Sequence, residues 1–422
     1  MTWKGVFDLL DLFAHAEKEL EGWEQEFEDY IARFDYVFWR SEPRAQAAKY
    51  VRGLLSPLEQ KNSCQLAEAM GDETPDATQR LIYHAQWAAD EAMKVLRQFI
   101  VERFGDGEGI GIIDETGFLR DGTRSVGVQR QYSGTAGKVE NCQIGTFLCY
   151  ATRQGNVFLD RRLFLPEEWC ADEARRGAGG VPKEVVFQTK PQQAAAMLEA
   201  AWEAGVRMPW VTADEVYGNA PALRKCISEH QRHYVLAVSS NAPVWRERPA
   251  VEEPHAKRGS TELTKPRLAE GASPPERADV VVAGWREQQW HRLTIAEGEK
   301  GPRTYDWARA RVIEDAGGLP GEEVWLLARR SITDPSDIAY YLSNAPLDTP
   351  LQRLAEIAGN RWVVEECIKE AKGQAGLDHY EARRWNSWHR HITLSLMAHT
   401  LLVALRQRAA ENTDGPVPFW KT

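Results

Sequence analysis

From Gly105 onward the chain alternates two kinds of text in an order that few architectures accept. "GEGIGIIDETG" is a short apolar run ending in an acid, followed by "SVGVQRQYS", "CQIGTFLCYAT" and "NVFLDRRLFLP", the last two separated by the turn "RQGN". Such runs bounded by turn residues read as strands of an antiparallel meander. A helical stretch, "KPQQAAAMLEAAWEAG", then gives way to a strand, "PWVTAD", a helix near "APALRKCISEH" and a strand, "YVLAVSS". Strands followed by alternating helices and strands predict a mixed α/β core, a mixed sheet flanked by helices.

The flanks read differently. Residues 1–104 are helical in pattern: "YIARFDYVFWRSEPRAQAAKYVRGLL", "LEQKNSCQLAEAM" and, after the break "GDETPD", "DATQRLIYHAQWAADEAMKVLRQFI". Ser56 before Pro57 and Asp76 after Pro75 are expected helix starts. Two helices across a short turn fit a helix-turn-helix that would point Gln79, Arg80 and His84 at DNA; they equally fit a plain helical bundle. Residues 246–279 are proline-rich and charged, as in a loop. "ADVVVAGW", "WHRLTIAE", "TYDWARARVI", "EEVWLLARRSI" and "IAYYLSN" then read as strands of a β-rich insertion. The expected organisation is a helical, DNA-binding segment over 1–104, a core over 105–245, the insertion over 246–348, and helices completing the core over 349–422. A chain of 422 residues is too long for one ordinary core.

Composition restricts the class. With 43% hydrophobic residues and 16 Trp the chain is built to fold. The start, "MTWKGVFDLLDLFAHAEKELEGW", carries acids through its apolar periodicity, so neither a leader nor a membrane span is expected there; "ITLSLMAHTLLVALRQR" reads as a buried helix. Six scattered cysteines with no CxxC pair and no zinc-like spacing suit a reducing cytoplasm. The net charge of −10 does not exclude a nucleic-acid partner, because nine acids against two lysines crowd into residues 1–30 while Arg120, Arg124, Arg130 and Lys138 cluster on one stretch. Local patches, rather than net charge, set phosphate affinity.

Two acids close apolar strands, Asp114 after "GIGII" and Asp214 after "PWVTA". A strand buried on both faces ends in an acid where the chain emerges, at the carboxyl edge where α/β folds place their sites. Either acid alone also fits an N-cap or a turn. A third carboxylate stands in "RWVVEECIKEAKGQAGLDHYEARRW", where Arg361, Glu365, Lys369 and Lys372 recur at helical spacing and share a face. That face is either a solvated salt-bridge stripe or part of a site. Three gathered carboxylates repel unless cations stand between them, and hard oxygen ligands suit Mg²⁺ or Mn²⁺.

The text "RGLLSPLEQKN", "IIDETGFLRDGTRSVGVQRQYSGTAGKVENCQIGTFL", "LFLPEEW", "TADEVYG", "YVLAVSSN" and "RWVVEECIKEAKGQAGLDHYEARRWNSWHRHITLSLMAH" resembles the DDE transposases of bacterial insertion sequences. It is close to the insertion-sequence 701 family within the wider insertion-sequence 4 group. The resemblance implies an RNase H-like catalytic core with an N-terminal helical domain and a β-rich insertion. It implies catalytic, metal-holding Asp114, Asp214 and Glu365, Mg²⁺ or Mn²⁺ as two ions, and metal-dependent cleavage and strand transfer of DNA. The implied partners are double-stranded DNA, as terminal inverted repeats and target, and a second copy of the chain in a DNA-bound homodimer, with no membrane. It also implies DNA contacts from Arg120, Arg124, Lys138, Arg361, Lys369 and Lys372. The wider group spaces Tyr, Arg, Glu and Lys at intervals of three, four and seven. Arg361, Glu365 and Lys372 match, and Ala358 stands where the Tyr is expected. A DNA-binding or regulatory descendant and a nuclease that does not join strands are the other readings of this resemblance.

Other signals are weaker. "SGTAGKVE" lacks the first glycine and the Ser/Thr of a phosphate loop. His389 and His391, two apart on a helix, face different directions and read as structural. Trp285, Trp290 and Trp307 fit either core packing or stacking on an extruded base.

Overall fold

A computed structural model of the chain describes residues 22–134, 137–254, 265–298 and 301–411. The amino-terminal stretch read as neither leader nor span lies almost wholly outside the described residues, as do parts of "SGTAGKVE" and of the proline-rich segment.

Five helices come first: α1 (22–32), α2 (Ser41–Leu54), α3 (Ser63–Ala69), α4 (Asp76–Tyr83) and α5 (Ala89–Phe104). The start expected at Ser56 is displaced to Ser63, because Asn62 caps α3 by accepting from the amides of Cys64 and Gln65 at 3.1 and 3.2 Å. The intervening loop is pinned by Lys61, a buried cation donating to the carbonyls of Leu54 at 2.6 Å and Gln374 at 2.5 Å. It thereby sits at two helix C-termini, where positive charge is favoured. The pattern from Asp76 to Ile100 breaks into two helices around 84–88. There Arg390 takes the carbonyls of Ile82, Ala85 and Trp87 at 3.1, 2.6 and 2.9 Å, so three carbonyls that leave the helical ladder keep a donor. Gln79, Arg80 and His84 are exposed.

The strands are β1 (Ile110–Leu119), β2 (Gln129–Ser133), β3 (Lys138–Thr152), β4 (Gly155–Phe164), β5 (Trp210–Ala213), β6 (His233–Val238), β7 (Pro243–Trp245), β8 (Val251–Glu252), β9 (Arg267–Leu268), β10 (Glu276–Arg277), β11 (His291–Gly298), β12 (Gly301–Asp315), β13 (Pro320–Arg330) and β14 (Ile338–Ser343). The remaining helices are α6 (Glu167–Ala171), α7 (Glu173–Gly179), α8 (Lys190–Glu203), α9 (Glu215–Gly218), α10 (Pro221–Glu229), α11 (Ala278–Ala283), α12 (Leu351–Gly359), α13 (Arg361–Ala375) and α14 (Trp385–Glu411).

One mixed sheet flanked by helices organises these elements. Its order is β10-β7-β12-β13-β14-β6-β5-β1-β3-β2, with β11 on β12 and β4 on β3. At its centre β1, β5 and β6 run parallel, while β2, β3 and β4 form the antiparallel meander. Strands β12, β13 and β14, from the β-rich stretch, continue the same sheet because β14 pairs antiparallel with β6. A buried ion pair, Arg224 Nε to Glu314 at 2.6 Å, fastens β12 to α10.

"ADVVVAGW" departs from its expected strand and forms α11. Ala278, Val281 and Val282 are buried and Val280 is 52% exposed, which is the stripe of a helix rather than alternation. The amides of Ala278 and Asp279 bond the carbonyls of Ala242 and Ser240, both at 2.9 Å, anchoring the first turn against β7's approach. Tertiary anchoring here overrides the strand preference of three valines. The apolar run in α14 is a buried helix, as read, and no helix of the described residues is long and apolar enough to cross a membrane.

Candidate active site

Ile113 of β1 lies opposite Ala213 of β5 in parallel register, so the next residues, Asp114 and Asp214, leave neighbouring strands side by side. The expectation that β1 ends at Asp114 needs correction: β1 continues to Leu119, paired antiparallel with β3. What ends there is β5, and its termination opens the space beside Asp114. Asp214 caps α9, accepting from the amide of Val216 at 2.9 Å. That bond uses one carboxylate oxygen, so a capping role and a site role coexist. The Asp114 carboxylate accepts from the amide of Glu115 at 2.8 Å.

Burial dominates the electrostatics. It pushes the Asp114 carboxyl up to about 7, with Asp214 and Glu115 adding to the rise and Arg361 opposing it. Burial also raises Asp214, helped by Glu115 and opposed by Arg361. The two carboxylates thus form a pocket of excess negative charge.

Helix α13 lies over this pocket. Val363, Val364, Cys367, Ile368, Ala371 and Ala375 form its buried face, and its other side presents Arg361 and Glu365. The Arg361 guanidinium stands 2.8 Å from Glu365 and 3.9 Å from Asp114, and both acids, with Asp214, raise its own proton affinity against the cost of burial. One guanidinium therefore links Glu365 to Asp114, with Asp214 close enough for its charge to act on it. The Glu365 side chain is 57% exposed, so it approaches from the solvent side. Glu370 on the same helix turns away to His399 at 3.2 Å and to Arg406.

The other predicted contact residues separate into two kinds. Arg124, Lys138 and Lys369 are exposed, Lys138 beside Glu140 at 2.8 Å. Arg120 is held inward, its Nε 2.8 Å from Gln143 and its guanidinium 3.9 Å above the Tyr380 ring. Lys372 reaches the Gly117 carbonyl at 3.3 Å and lies 5.5 Å from the Phe118 ring. Ala358 is buried in α12, one helix before the acids. His391 is buried between the Tyr50 hydroxyl at 2.8 Å and the Gly376 carbonyl at 3.0 Å. Trp307 is buried against Tyr341, while Trp290 carries the Arg330 guanidinium at 4.3 Å.

A family model described as DDE superfamily endonuclease matches residues 33–302, more than half of the 422. The chain belongs to that family. The matched segment of this DDE-superfamily chain holds Asp114 and Asp214 and ends before Glu365, whose assignment rests on the geometry around Arg361. Among curated proteins the chain is similar to "Probable transposase for insertion sequence element IS701" of Microchaete diplosiphon, 26% identical over 199 residues, which are 46% of this chain and 49% of that protein. The chain thus spans about half the length of the curated relative it matches. Among solved structures it is similar to the piggyBac transposase synaptic complex with hairpin DNA, with 10% identity and a TM-score of 0.44 over 90% of this chain and 69% of that one. The NurA nuclease from Sulfolobus solfataricus gives 9% identity and a TM-score of 0.25 over 67% and 86%.

The donor set of this DDE-superfamily site fits a divalent metal ion. Two half-buried carboxylates with raised proton affinity are offset by one guanidinium shared with a third acid, and hard oxygens in excess are what a hard divalent cation takes. Sequence reasoning missed the support beneath them. Glu115 is locked by Lys190 at 2.5 Å and by the Tyr217 hydroxyl at 2.6 Å. Both its oxygens are engaged, so it acts as a fixed charge that tunes Asp214. The only hint lay in the repeated Asp-Glu pairs of "IIDET" and "TADEV".

Proposed function

We propose that this chain is a DNA transposase, with an RNase H-like core that cuts element ends and joins them to target DNA. The observation that carries this reading is the adjacency of Asp114 and Asp214 on paired parallel strands, with Glu365 tied to Asp114 through Arg361. Asp114, Asp214 and Glu365 would hold Mg²⁺ or Mn²⁺, as two ions. When bound, these supply charge neutralisation at the phosphate and an activated water or 3′-hydroxyl.

The chain's own residues do the rest. Burial of Asp114 and Asp214 excludes water from one side of the site, which strengthens every charge interaction within it. Arg361, held 3.9 Å from Asp114 and 2.8 Å from Glu365, would offer its guanidinium to the scissile phosphate as a fork of donors. Exposed Arg124, Lys138 and Lys369 neutralise flanking phosphates. Arg120 and Lys372 position the strand β1 and helix α13 that carry the acids. The helices of residues 1–104, with exposed Gln79, Arg80 and His84, form a DNA-binding domain, the β-rich stretch an insertion, and two copies hold two element ends.

The test uses DNA flanking the chain's own gene as terminal substrate, with Mg²⁺ and a supercoiled target. Nicked ends plus joined products support the proposal. Nicks alone leave a hydrolytic nuclease, and binding without any cleavage leaves a DNA-binding protein; either result refutes transposition.

A further inference from the structure

A second group of metal-type ligands lies apart from the acidic site. Glu199 on α8, Cys226 on α10 and His230, the residue that ends α10, each bring a ligand atom to within 4.8 Å of the other two. The Cys226 sulfur is 3.5 Å from a Glu199 oxygen and 4.0 Å from Nδ1 of His230. In a tetrahedral zinc site, with Zn–S near 2.3 Å and Zn–N or Zn–O near 2.0 Å, such pairs stand about 3.5 Å apart. One separation already matches, and the other closes with a small rotation of an exposed ring.

Local structure supports the arrangement. Cys226 and His230 are one helical turn apart, so their side chains stack on one face. The His230 amide bonds the Cys226 carbonyl at 3.2 Å and fixes the end of the turn, while the indole of Trp202 lies 4.8 Å from the imidazole, centre to centre. Nδ1 of His230 also lies 2.9 Å from the Cys226 carbonyl. A carbonyl only accepts, so Nδ1 carries the proton while no ion is bound; ligation through Nδ1, the nitrogen 4.0 Å from the sulfur, gives up that carbonyl contact and moves the proton to Nε2. The sequence hides the site because the third ligand comes from a different helix.

We propose that Glu199, Cys226 and His230 bind one divalent transition-metal ion of the zinc class, stapling α8 to α10 with a fourth position open to water. A thiolate and an imidazole select such an ion over Mg²⁺, which prefers all-oxygen ligands. Binding displaces the thiol proton of Cys226 to solvent and changes no oxidation state.

Cobalt(II) replaces zinc and reports sulfur ligation through thiolate-to-metal charge-transfer absorption. The experiment titrates Co²⁺ into the full-length protein carrying Asp114→Asn and Asp214→Asn, which removes the acidic site, in the presence of excess Mg²⁺. One equivalent is expected to give the charge-transfer band and to be displaced by Zn²⁺. Cys226→Ser should abolish the band, and His230→Ala and Glu199→Gln should weaken Co²⁺ affinity at least tenfold. Circular dichroism checks that each variant is folded, and His230→Ala, an exposed position, keeps the test open should Cys226→Ser unfold. No band in the parent protein, a band that survives Cys226→Ser, or affinity unchanged in folded His230→Ala overturns the proposal. DNA binding by Cys226→Ser should remain at the parent level.

Discussion

Replacing Asp114 by Asn is expected to stabilise the metal-free protein, and to do so more as the pH rises. Burial first, then Asp214 and Glu115, lift the Asp114 carboxyl from 3.8 to about 7 in the fold. A raised pKa contributes fully to stability below the unfolded value, and that contribution is lost as pH rises to the folded value; above 7 the whole cost of ionising Asp114 is present. Three units correspond to about 4 kcal/mol at most, of which about 2 kcal/mol appears between pH 5.5 and 8 at about 1.4 kcal/mol per unit. Asn keeps an oxygen for the Glu115 amide, bonded at 2.8 Å in the parent, so the substitution removes charge and little else. The assay is urea unfolding of both proteins in EDTA at pH 5.5 and pH 8. The difference between them cancels the titrating groups that lie away from Asp114. The Asn protein should be the more stable at both pH values, with the gap widening by about 2 kcal/mol at pH 8. Added Mn²⁺ should then stabilise the parent and not the variant. An Asn protein less stable than the parent at pH 8, or a gap that does not change with pH, would refute the electrostatic reading of this site.

Further outcomes follow from single contacts. Arg224→Met should cost about 3–5 kcal/mol in urea unfolding, because it leaves Glu314 buried without its 2.6 Å partner; Arg224→Met with Glu314→Met should recover most of that loss. Gly218→Ala should destabilise by about 2 kcal/mol or more and loosen the α9 cap that holds Asp214, since a Cβ there would meet the Ala237 carbonyl at 1.8 Å. His389 and His391, both pushed down to about 3 by burial, should erode stability as pH falls below about 6.5, by about 1.4 kcal/mol per unit each. The sign is that of a depressed pKa: the contribution is complete above 6.5 and shrinks towards 3, and His391→Gln should remove one histidine's share of the slope in melts taken from pH 7 to 5.

What the sequence made legible has a common physical form. The strands of the mixed sheet, the helix α8 with its Thr189 capping box, and the face shared by Arg361 and Glu365 all follow from local periodicity. Asp114 and Asp214 were readable because each interrupts an apolar run. Four things were not readable. The length of β1 beyond Asp114 depends on pairing with β3, whose residues lie about thirty positions on. The inward turn of Arg120 and Lys372 depends on Gln143, Tyr380 and Gly117, which no spacing rule connects to them. The helix α11 depends on anchoring to Ser240 and Ala242, and three valines in a row conceal it. The continuity of β14 with β6 is of the same kind, because register across a hundred residues of intervening chain is a tertiary property.

The central claim is that Asp114, Asp214 and Glu365 hold divalent cations against a DNA backbone. Anomalous diffraction from crystals of the protein with element-end DNA and Mn²⁺ tests it most directly. Manganese peaks within bonding distance of Asp114 and Asp214, with at least one also reaching Glu365 and the scissile phosphate, are the predicted result. Well-ordered DNA and full-strength Mn²⁺ with no peak between those carboxylates would contradict the account.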